Sequence, residues 1–386
     1  MPNTGPDTPL AGFRVVELAR VLAGPFAGQI LADLGAEVIK IESPEGDGTR
    51  QWGPPWVERD DGSREAAYYH ACNRGKQSVI ADFTQADDLD HTKALCAQAD
   101  VVIENFKPGT LAKFGLDYES IAATNPAAVY CSISGFGQDG PRRSEPGYDF
   151  VIQAMSGLMS ITGEPDGEPM KSGVSMSDLA CGLWSANAIQ AALLMRARTG
   201  KGQWIDMSLL DCSVAMLANQ AMTYFASGKN PPRKGNSHAQ VVPYGVYEAS
   251  DGQLVLAPAN DRLFAALMRA IGRDDLAHDN RLQDNAGRIE HREWLEAEIA
   301  GEVRQWTVEE LLARCGEAGV PAGPIHTLDA VFADPQVVSR GMAIRPGELP
   351  SIRSPFRFSD AQLSLSDPSP RLGQHDWPDW DPLDRR

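Results

Sequence analysis

The chain has 386 residues, a formal net charge of −17 and 42% hydrophobic residues. That length points to about two domains, and an acidic balance with no basic stripe argues against nucleic acid as the main partner. Six scattered cysteines (Cys72, Cys96, Cys131, Cys181, Cys212, Cys315) form no CxxC pair, which fits a reducing cytosol and small core residues.

The first ten or so residues, rich in Pro, Gly and Thr, lack the basic and apolar regions of a signal peptide. FRVVEL then reads as a buried strand, AGQILADLG as a helix and AEVIKIE as a second strand. This βαβ unit has Pro25 in the first helical turn and Gly35 at the helix end. It lacks GxGxxG, so the usual dinucleotide fold is not indicated. A loop rich in Gly, Pro and Trp (ESPEGDGTRQWGPPW) leads to a strand in NRGKQSVIADF. A helix over about 88–97, a strand in ADVVIENF, a short helical region in TLAKFGLDYESIAATNP and a strand in AVYCSISGFG follow. The alternation predicts a mostly parallel α/β sheet with helices on both faces. Ligands collect at the carboxyl ends of such strands. Three loops fall there: Arg20 to Pro25, Glu104 to Gly109, and Ser134 to Pro141. Each alone is an ordinary Gly/Pro turn; their recurrence predicts a shared ligand cleft.

The stretch from Gly147 to Asp211 organises the rest. Leu179, Leu183, Ala186, Ile189 and Leu193 recur at helical spacing and predict a helix from about Leu179 to Arg198, with Gly200 just past its end. Asp178 stands at the expected N-cap. Its carboxylate either caps the helix or serves a substrate at the positive helix end, among the small residues Ser177, Ala180 and Gly182. Beyond it, QWIDMSLLD predicts a strand and LDCSVAMLANQAMTYFAS a helix. GKNPPRKGNSHAQ reads as a linker or exposed loop. VPYGVYEAS and GQLVLAPA flank a hairpin turn at Ser250 to Gly252. Helices in RLFAALMRAIG, REWLEAEIAGEVRQ and TVEELLARCGEAG complete a second, smaller α+β domain over about 228–325, and the tail after His326 is loop-rich. No apolar run approaches the roughly 20 residues that span a membrane, so a soluble, cytoplasmic protein is expected.

Taken in order, LAGFRVVELARVLAGP, LGAEVIKIE, VIENFKPGTLAKFGLD, ISGFGQDGP, GYDFVIQAMSGLMSITG, SDLACG, RTGKGQWIDMSLLD, GVPAGPI and LGQH resemble the class III coenzyme A transferases, the CaiB/BaiF type that includes formyl-CoA transferase. The ordered set, from residue 10 to 375, is far more specific than any one piece. The resemblance implies a homodimer of interlocked chains. Each chain would have a Rossmann-like large domain built from residues 1–227 and 326–386, with the 228–325 domain between. It implies no tightly bound cofactor, coenzyme A as substrate, and an acyl-CoA and a free carboxylic acid as partners; the acidic balance and the lack of a long apolar run predict no nucleic acid and no membrane beside them. The family's nucleophile falls on Asp178. Asn105, Phe106 and Lys107 match a loop along the CoA tail, Lys113 a position near the phosphates, Leu22 and Ala23 the pantetheine end, and Tyr148 the thioester end.

Three departures separate the chain from formyl-CoA transferase. Leu22 replaces a glutamine, Ser43 an arginine, and GNSHAQVVPY a Gly-rich lid. With RVLAGPF and DDGSREAAYY, they bring the chain nearer the succinyl-CoA-dependent dicarboxylate members, such as glutarate CoA-transferase. His238 in the replaced loop is either an exposed linker histidine or a contact for the acceptor's second carboxylate, with Arg233 and Lys234 close in sequence. Two rivals remain. An α-methylacyl-CoA racemase pairs a histidine base, in a motif like GHD, with the acid; here that position is Tyr148, and tyrosine is a poor base with a pKa of about 10. A non-catalytic CoA-binding protein would have dispensed with Asp178.

Overall fold

The computed structural model describes residues 7–380. Short apolar runs alternate with helical segments through the first 230 or so residues, and most of these runs join one parallel sheet. In chain order the elements are β1 (Arg14–Glu17), α1 (Ala23–Asp33), β2 (Glu37–Glu42), β3 (Trp56–Glu58), β4 (Arg64–Ala66), α2 (Ala67–His70), β5 (Gln77–Ile80) and α3 (Ala86–Gln98). They continue with β6 (Val101–Glu104), α4 (Tyr118–Thr124), β7 (Val129–Ser134), α5 (Asp149–Met155), α6 (Met176–Thr199), β8 (Gln203–Ser208), α7 (Leu209–Ala215) and α8 (Ala218–Ser227). The six-stranded sheet has the order β5-β2-β1-β6-β7-β8. All its pairs are parallel, with Val15 opposite both Val38 and Val101. β3 and β4 form a separate antiparallel hairpin inside the Trp/Pro-rich loop.

Alternate residues of the strands feed two cores. Val15, Val38, Val101 and Ile103 pack with Ile189 and Leu193 of α6 on one face. Val16, Ile39, Val102 and Tyr130 pack with Leu95 of α3 and Ile121 of α4 on the other. Burial on both faces explains why these strands read as continuous Val/Ile runs rather than as alternating ones.

By its internal contacts the chain divides into two units. One comprises residues up to Leu158, Lys171–Gly228 and those from Pro335 on; the other comprises Met159–Met170 and Lys229–Asp334. Nothing in the composition of residues 159–170 signals that they belong with the second unit. That unit holds β9 (Gly245–Glu248), β10 (Gln253–Leu256), α9 (Asp261–Ala270), α10 (Asp274–Ala277), α11 (Asn285–Glu290), α12 (Arg292–Val303), α13 (Val308–Ala318) and β11 (Ala322–Pro324). The expected hairpin is present, and β11, which carried no strand signal, adds to it in the antiparallel order β11-β10-β9. Leu254, Leu256, Phe264, Leu267, Ile299 and Leu311 form this unit's own core. α13 starts at a capping box in which Thr307 and Glu310 satisfy each other's backbone N–H.

The tail after His326 is loop-rich, as expected, with short helices at Leu328–Ala333 and Pro335–Ser339. Three expectations are corrected. The single helix expected over LDCSVAMLANQAMTYFAS is two, α7 and α8, and Ala218 at the start of α8 has a positive φ of 41°. α6 begins at Met176, so Asp178 lies inside its first turn and is not the N-cap. Leu183, expected on the apolar face of α6, is 54% exposed; the buried face is formed mostly of small residues, including Ser177, Ala180, Cys181, Ser185 and Ala186. The reason is the close approach of α1. A Cβ at position 182 would sit 2.8 Å from the carbonyl oxygen of Ala23 and 3.0 Å from the Phe26 ring, so only glycine fits.

Candidate active site

The chain runs from β1 outward to β2 and β5, then returns to place β6 on the other side of β1. Loops leaving the carboxyl ends of β1 and β6 therefore diverge, and a crevice opens at this switch of direction. A cavity of about 450 Å³ lies there. Its walls come from the turn after β1, the loop after β6, the end of β7, the segment before α5 and the first turn of α6. It brings together Leu22, Ala23, Asn105, Phe106, Lys107, Tyr148 and Asp178. Lys113 lines a neighbouring cavity of about 330 Å³ together with Ser43; Arg20 and Phe106 border both spaces.

The side chains are held in distinct ways. The Asn105 amide is committed to the turn after β1: its Oδ1 accepts from the Arg20 N–H at 2.8 Å and its Nδ2 donates to the Arg20 carbonyl at 2.6 Å. The Arg20 guanidinium lies 5.2 Å from the centre of the Phe106 ring. The Phe106 N–H donates to Glu104 at 2.8 Å, fixing the start of the loop that presents Lys107. Lys107 is exposed, as is Lys113, whose ammonium lies 4.6 Å from the centre of the Phe114 ring. Tyr148 is the N-cap residue of α5, and its side chain is largely exposed.

Asp178 does not cap its helix. The first N–H groups of α6 are satisfied by a carboxylate from α5: Oδ1 of Asp149 accepts from Ser177 N–H at 2.8 Å and from Asp178 N–H at 3.4 Å. Asp149 is itself held by the Gln153 amide at 2.7 Å, and Gln153 accepts from the Ser172 N–H at 2.9 Å. The cap reading of Asp178 is thereby overturned, because Asp149 fills that role across a tertiary contact. Half-buried and beside a second carboxylate, Asp178 is pushed up to about 7, by desolvation first and by the Asp149 charge second. Among the described residues no ion pair joins Asp178 or Asp149 to a cation. The result is a partly desolvated carboxylate on a cavity wall, with no counter-ion among the described residues to quench it as a nucleophile.

Asp149 was not among the sequence candidates although it follows Tyr148 directly. Its role arises from contact with α6, and no local pattern encodes that contact. Arg143, which adds positive charge to the cavity wall, was missed as well. His238 belongs to the second unit, where its Nδ1 accepts from the Gln240 N–H at 3.1 Å and its ring packs 5.2 Å from that of Tyr244. Arg233, also in that unit, donates to the carbonyls of Glu164, Pro165 and Gly167 and so ties residues 159–170 in place. All six cysteines are unpaired and buried. Among the described residues, no group of three or more His, Cys, Asp or Glu is placed to hold a metal ion, and no helix is long and apolar enough to cross a membrane.

Comparison with known proteins extends this picture along the whole chain. The model of CoA-transferase family III matches residues 10–376. A succinate–glutarate CoA-transferase of Agrobacterium fabrum is 50% identical over 382 residues, covering 97% of this chain and 95% of that protein. A succinyl-CoA:glutarate CoA-transferase of Mus musculus is 40% identical over 373 residues, covering 95% of this chain and 84% of the mouse protein. The crystal structure of a CaiB/BaiF family protein from Brucella suis superposes with a TM-score of 0.88 at 54% identity, covering 96% of this chain and 97% of that one. The chain therefore belongs to CoA-transferase family III and is an enzyme of the CoA-transferase type.

Proposed function

We propose that the protein moves coenzyme A from succinyl-CoA to a small dicarboxylic acid of the glutarate class, with Asp178 carrying the acyl group. The observation that carries the assignment of Asp178 is its uncompensated carboxylate on the wall of the switch-point cavity. The substrate class is supported by the relatives named for succinate and glutarate. Asp178 attacks the thioester carbonyl and expels CoA thiolate, giving a mixed anhydride. The thiolate then attacks the aspartyl carbonyl, releasing succinate and leaving an aspartyl–CoA thioester. The acceptor carboxylate attacks that thioester to form a second anhydride and free thiolate. Attack of the thiolate on the acceptor's carbonyl releases the new CoA ester and regenerates Asp178. Each step exchanges one activated acyl bond for another, so the thioester's free energy is retained.

The cavity beside Asp178 and Tyr148 receives the thioester end, and the neighbouring cavity with Lys113 receives the remote part of CoA. Arg20, Lys107 and Lys113 supply the positive charge that an acidic chain must place locally for an anionic ligand. Asn105 bonded to Arg20 serves chiefly to hold the wall. The second carboxylate of the acceptor is read by cationic side chains of the cavity, Arg143 among them, rather than by Arg233, which is engaged with carbonyl groups.

The working form is a homodimer. Leu194 and Leu183 of α6 are 71% and 54% exposed, and Phe225 and Met222 of α8 are 72% and 63% exposed. Isolated monomers seldom leave so much apolar helix surface in water. The cytoplasm is the setting we assign, since six unpaired thiols suit a reducing compartment. Incubation of the purified protein with succinyl-CoA and a panel of mono- and dicarboxylates, with CoA esters read by mass spectrometry, tests the assignment. Glutaryl-CoA or a close dicarboxylate ester is expected; transfer to monocarboxylates alone would refute the substrate class. Light scattering at micromolar concentration should give twice the chain mass.

A further inference from the structure

The turn between β1 and α1 forms one wall of the Asp178 cavity, and it is strained. Val21 has a φ of +72°, a left-handed conformation that β-branched residues avoid. Such strain persists only where the surroundings impose it, and it gathers at functional sites. What imposes it here is a buried cluster beneath the turn. The Val21 N–H donates to the Asp47 carboxylate, 3.1 Å from Oδ2. Lys40, with no exposed side-chain surface, lies 3.1 Å from Asp47 Oδ2 and 3.1 Å from Glu17 Oε1, and donates to the Ala19 carbonyl at 2.7 Å. Lys76 donates to the same Glu17 oxygen at 2.9 Å and to the Pro25 carbonyl at 2.8 Å. Two lysines thus grip the turn at either end, while two carboxylates balance their charge. The helix above leaves room for this: a Cβ at Gly28 would come within 1.8 Å of Glu17 Oε2.

We infer that Asp47 is a positioning residue for the transfer reaction, holding Val21 in its left-handed state so that the turn is presented to the reacting end of the CoA thioester beside Asp178. This rests on the proposed role of Asp178. The chemistry of the site demands a carboxylate at position 47. All four groups that face it are donors: the Val21 N–H, the Thr49 N–H, the Thr49 hydroxyl and the Lys40 ammonium. An amide at this position would turn its own NH₂ toward at least one donor and leave that group without an acceptor. Val21 is the partner that gains most by letting go, since release allows its φ to return to a negative value.

The test is a pair of substitutions read in two ways. Asp47→Asn should lower kcat by about 100-fold, the cost of a misplacement of about 1 Å near the chemistry, with a smaller change in KM for succinyl-CoA. It should also speed amide hydrogen exchange in the peptide covering residues 19–25. Adding Val21→Gly should recover much of the kcat loss, because glycine adopts the left-handed conformation without strain, while exchange in that peptide stays fast because the residue-21 N–H still lacks its acceptor. A merely structural Asp47 would lower the melting temperature but leave kcat unchanged, or leave kcat unrescued by Val21→Gly; either result overturns the inference. Should Asp47→Asn fail to fold, Thr49→Val removes only the hydroxyl that orients the carboxylate and should show a smaller loss with the same rescue. Wild-type protein that transferred no CoA would refute the proposed function, while the exchange data would still decide whether Asp47 holds the turn.

Discussion

Two groups of carboxylates in the same unit have opposite fates. Under β1 and β2, Glu17, Asp47 and Glu42 are buried, yet each has a cation: Lys40 and Lys76 for Glu17, Lys40 for Asp47, Arg50 for Glu42. Burial alone would raise Asp47 and Glu42, but their cationic and hydrogen-bond partners hold both below the usual carboxylate range. At the α5–α6 junction, Asp178 and Asp149 sit beside each other with no cation paired to either among the described residues, and Asp178 rises to about 7. The difference separates scaffold from chemistry. A carboxylate locked to an ammonium is a poor nucleophile and a good strut; one left uncompensated at a cavity wall costs stability and gains reactivity.

The contrast can be broken from either side. The largest effect should come from Asp178→Asn, which keeps the size of the side chain but removes the nucleophile. CoA transfer should fall by about 10³-fold or more, measured as steady-state exchange between succinyl-CoA and glutarate after excluding deamidation. Lys40→Met attacks the other region, leaving Glu17 and Asp47 short of a counter-ion. Loss of one partner of a buried pair costs about 3–5 kcal/mol, to be read from denaturant unfolding.

The pH dependence sharpens the comparison. Asp178 acts as its anion, so the acylation rate should drop as pH falls through about 7, approaching tenfold per pH unit below it. Asp149→Asn removes the neighbouring charge while keeping an oxygen to accept from the Ser177 N–H, so it should move that limb to lower pH. The smallest effect concerns stability. The folded pKa of Asp178 lies above its ordinary 3.8, so the folded state holds this proton more tightly than the unfolded chain. Protonation therefore favours folding below about pH 4, and the advantage is lost as pH rises through about 7. Asp178→Asn should accordingly raise the melting temperature at pH 8 by about 2 °C or more, with a smaller gain at pH 5.

Much of this was legible in the chain. Val/Ile runs separated by helical periodicity specify the parallel sheet, and the loops after β1 and β6 line one cavity at the strand ends, as the strand-end rule requires. What escaped the sequence were features made by contacts distant in the chain. The start of α6 was misplaced because its cap is Asp149 on α5 rather than a residue just before it. Leu183 was assigned to the core because periodicity cannot foresee that α1 packs close enough to demand Gly182. The cluster of Glu17, Lys40, Asp47 and Lys76 draws on positions 59 residues apart, each unremarkable alone.

The most direct test of the central claim is to trap the acyl group. Wild-type protein incubated with succinyl-CoA and then hydroxylamine should lose activity and carry a hydroxamate on the peptide containing Asp178. The label should be absent without acyl-CoA and absent in Asp178→Asn. Labelling of a different acid, or full transfer activity with no aspartyl adduct under these conditions, would contradict the assignment of Asp178 as the carboxylate that carries the acyl group.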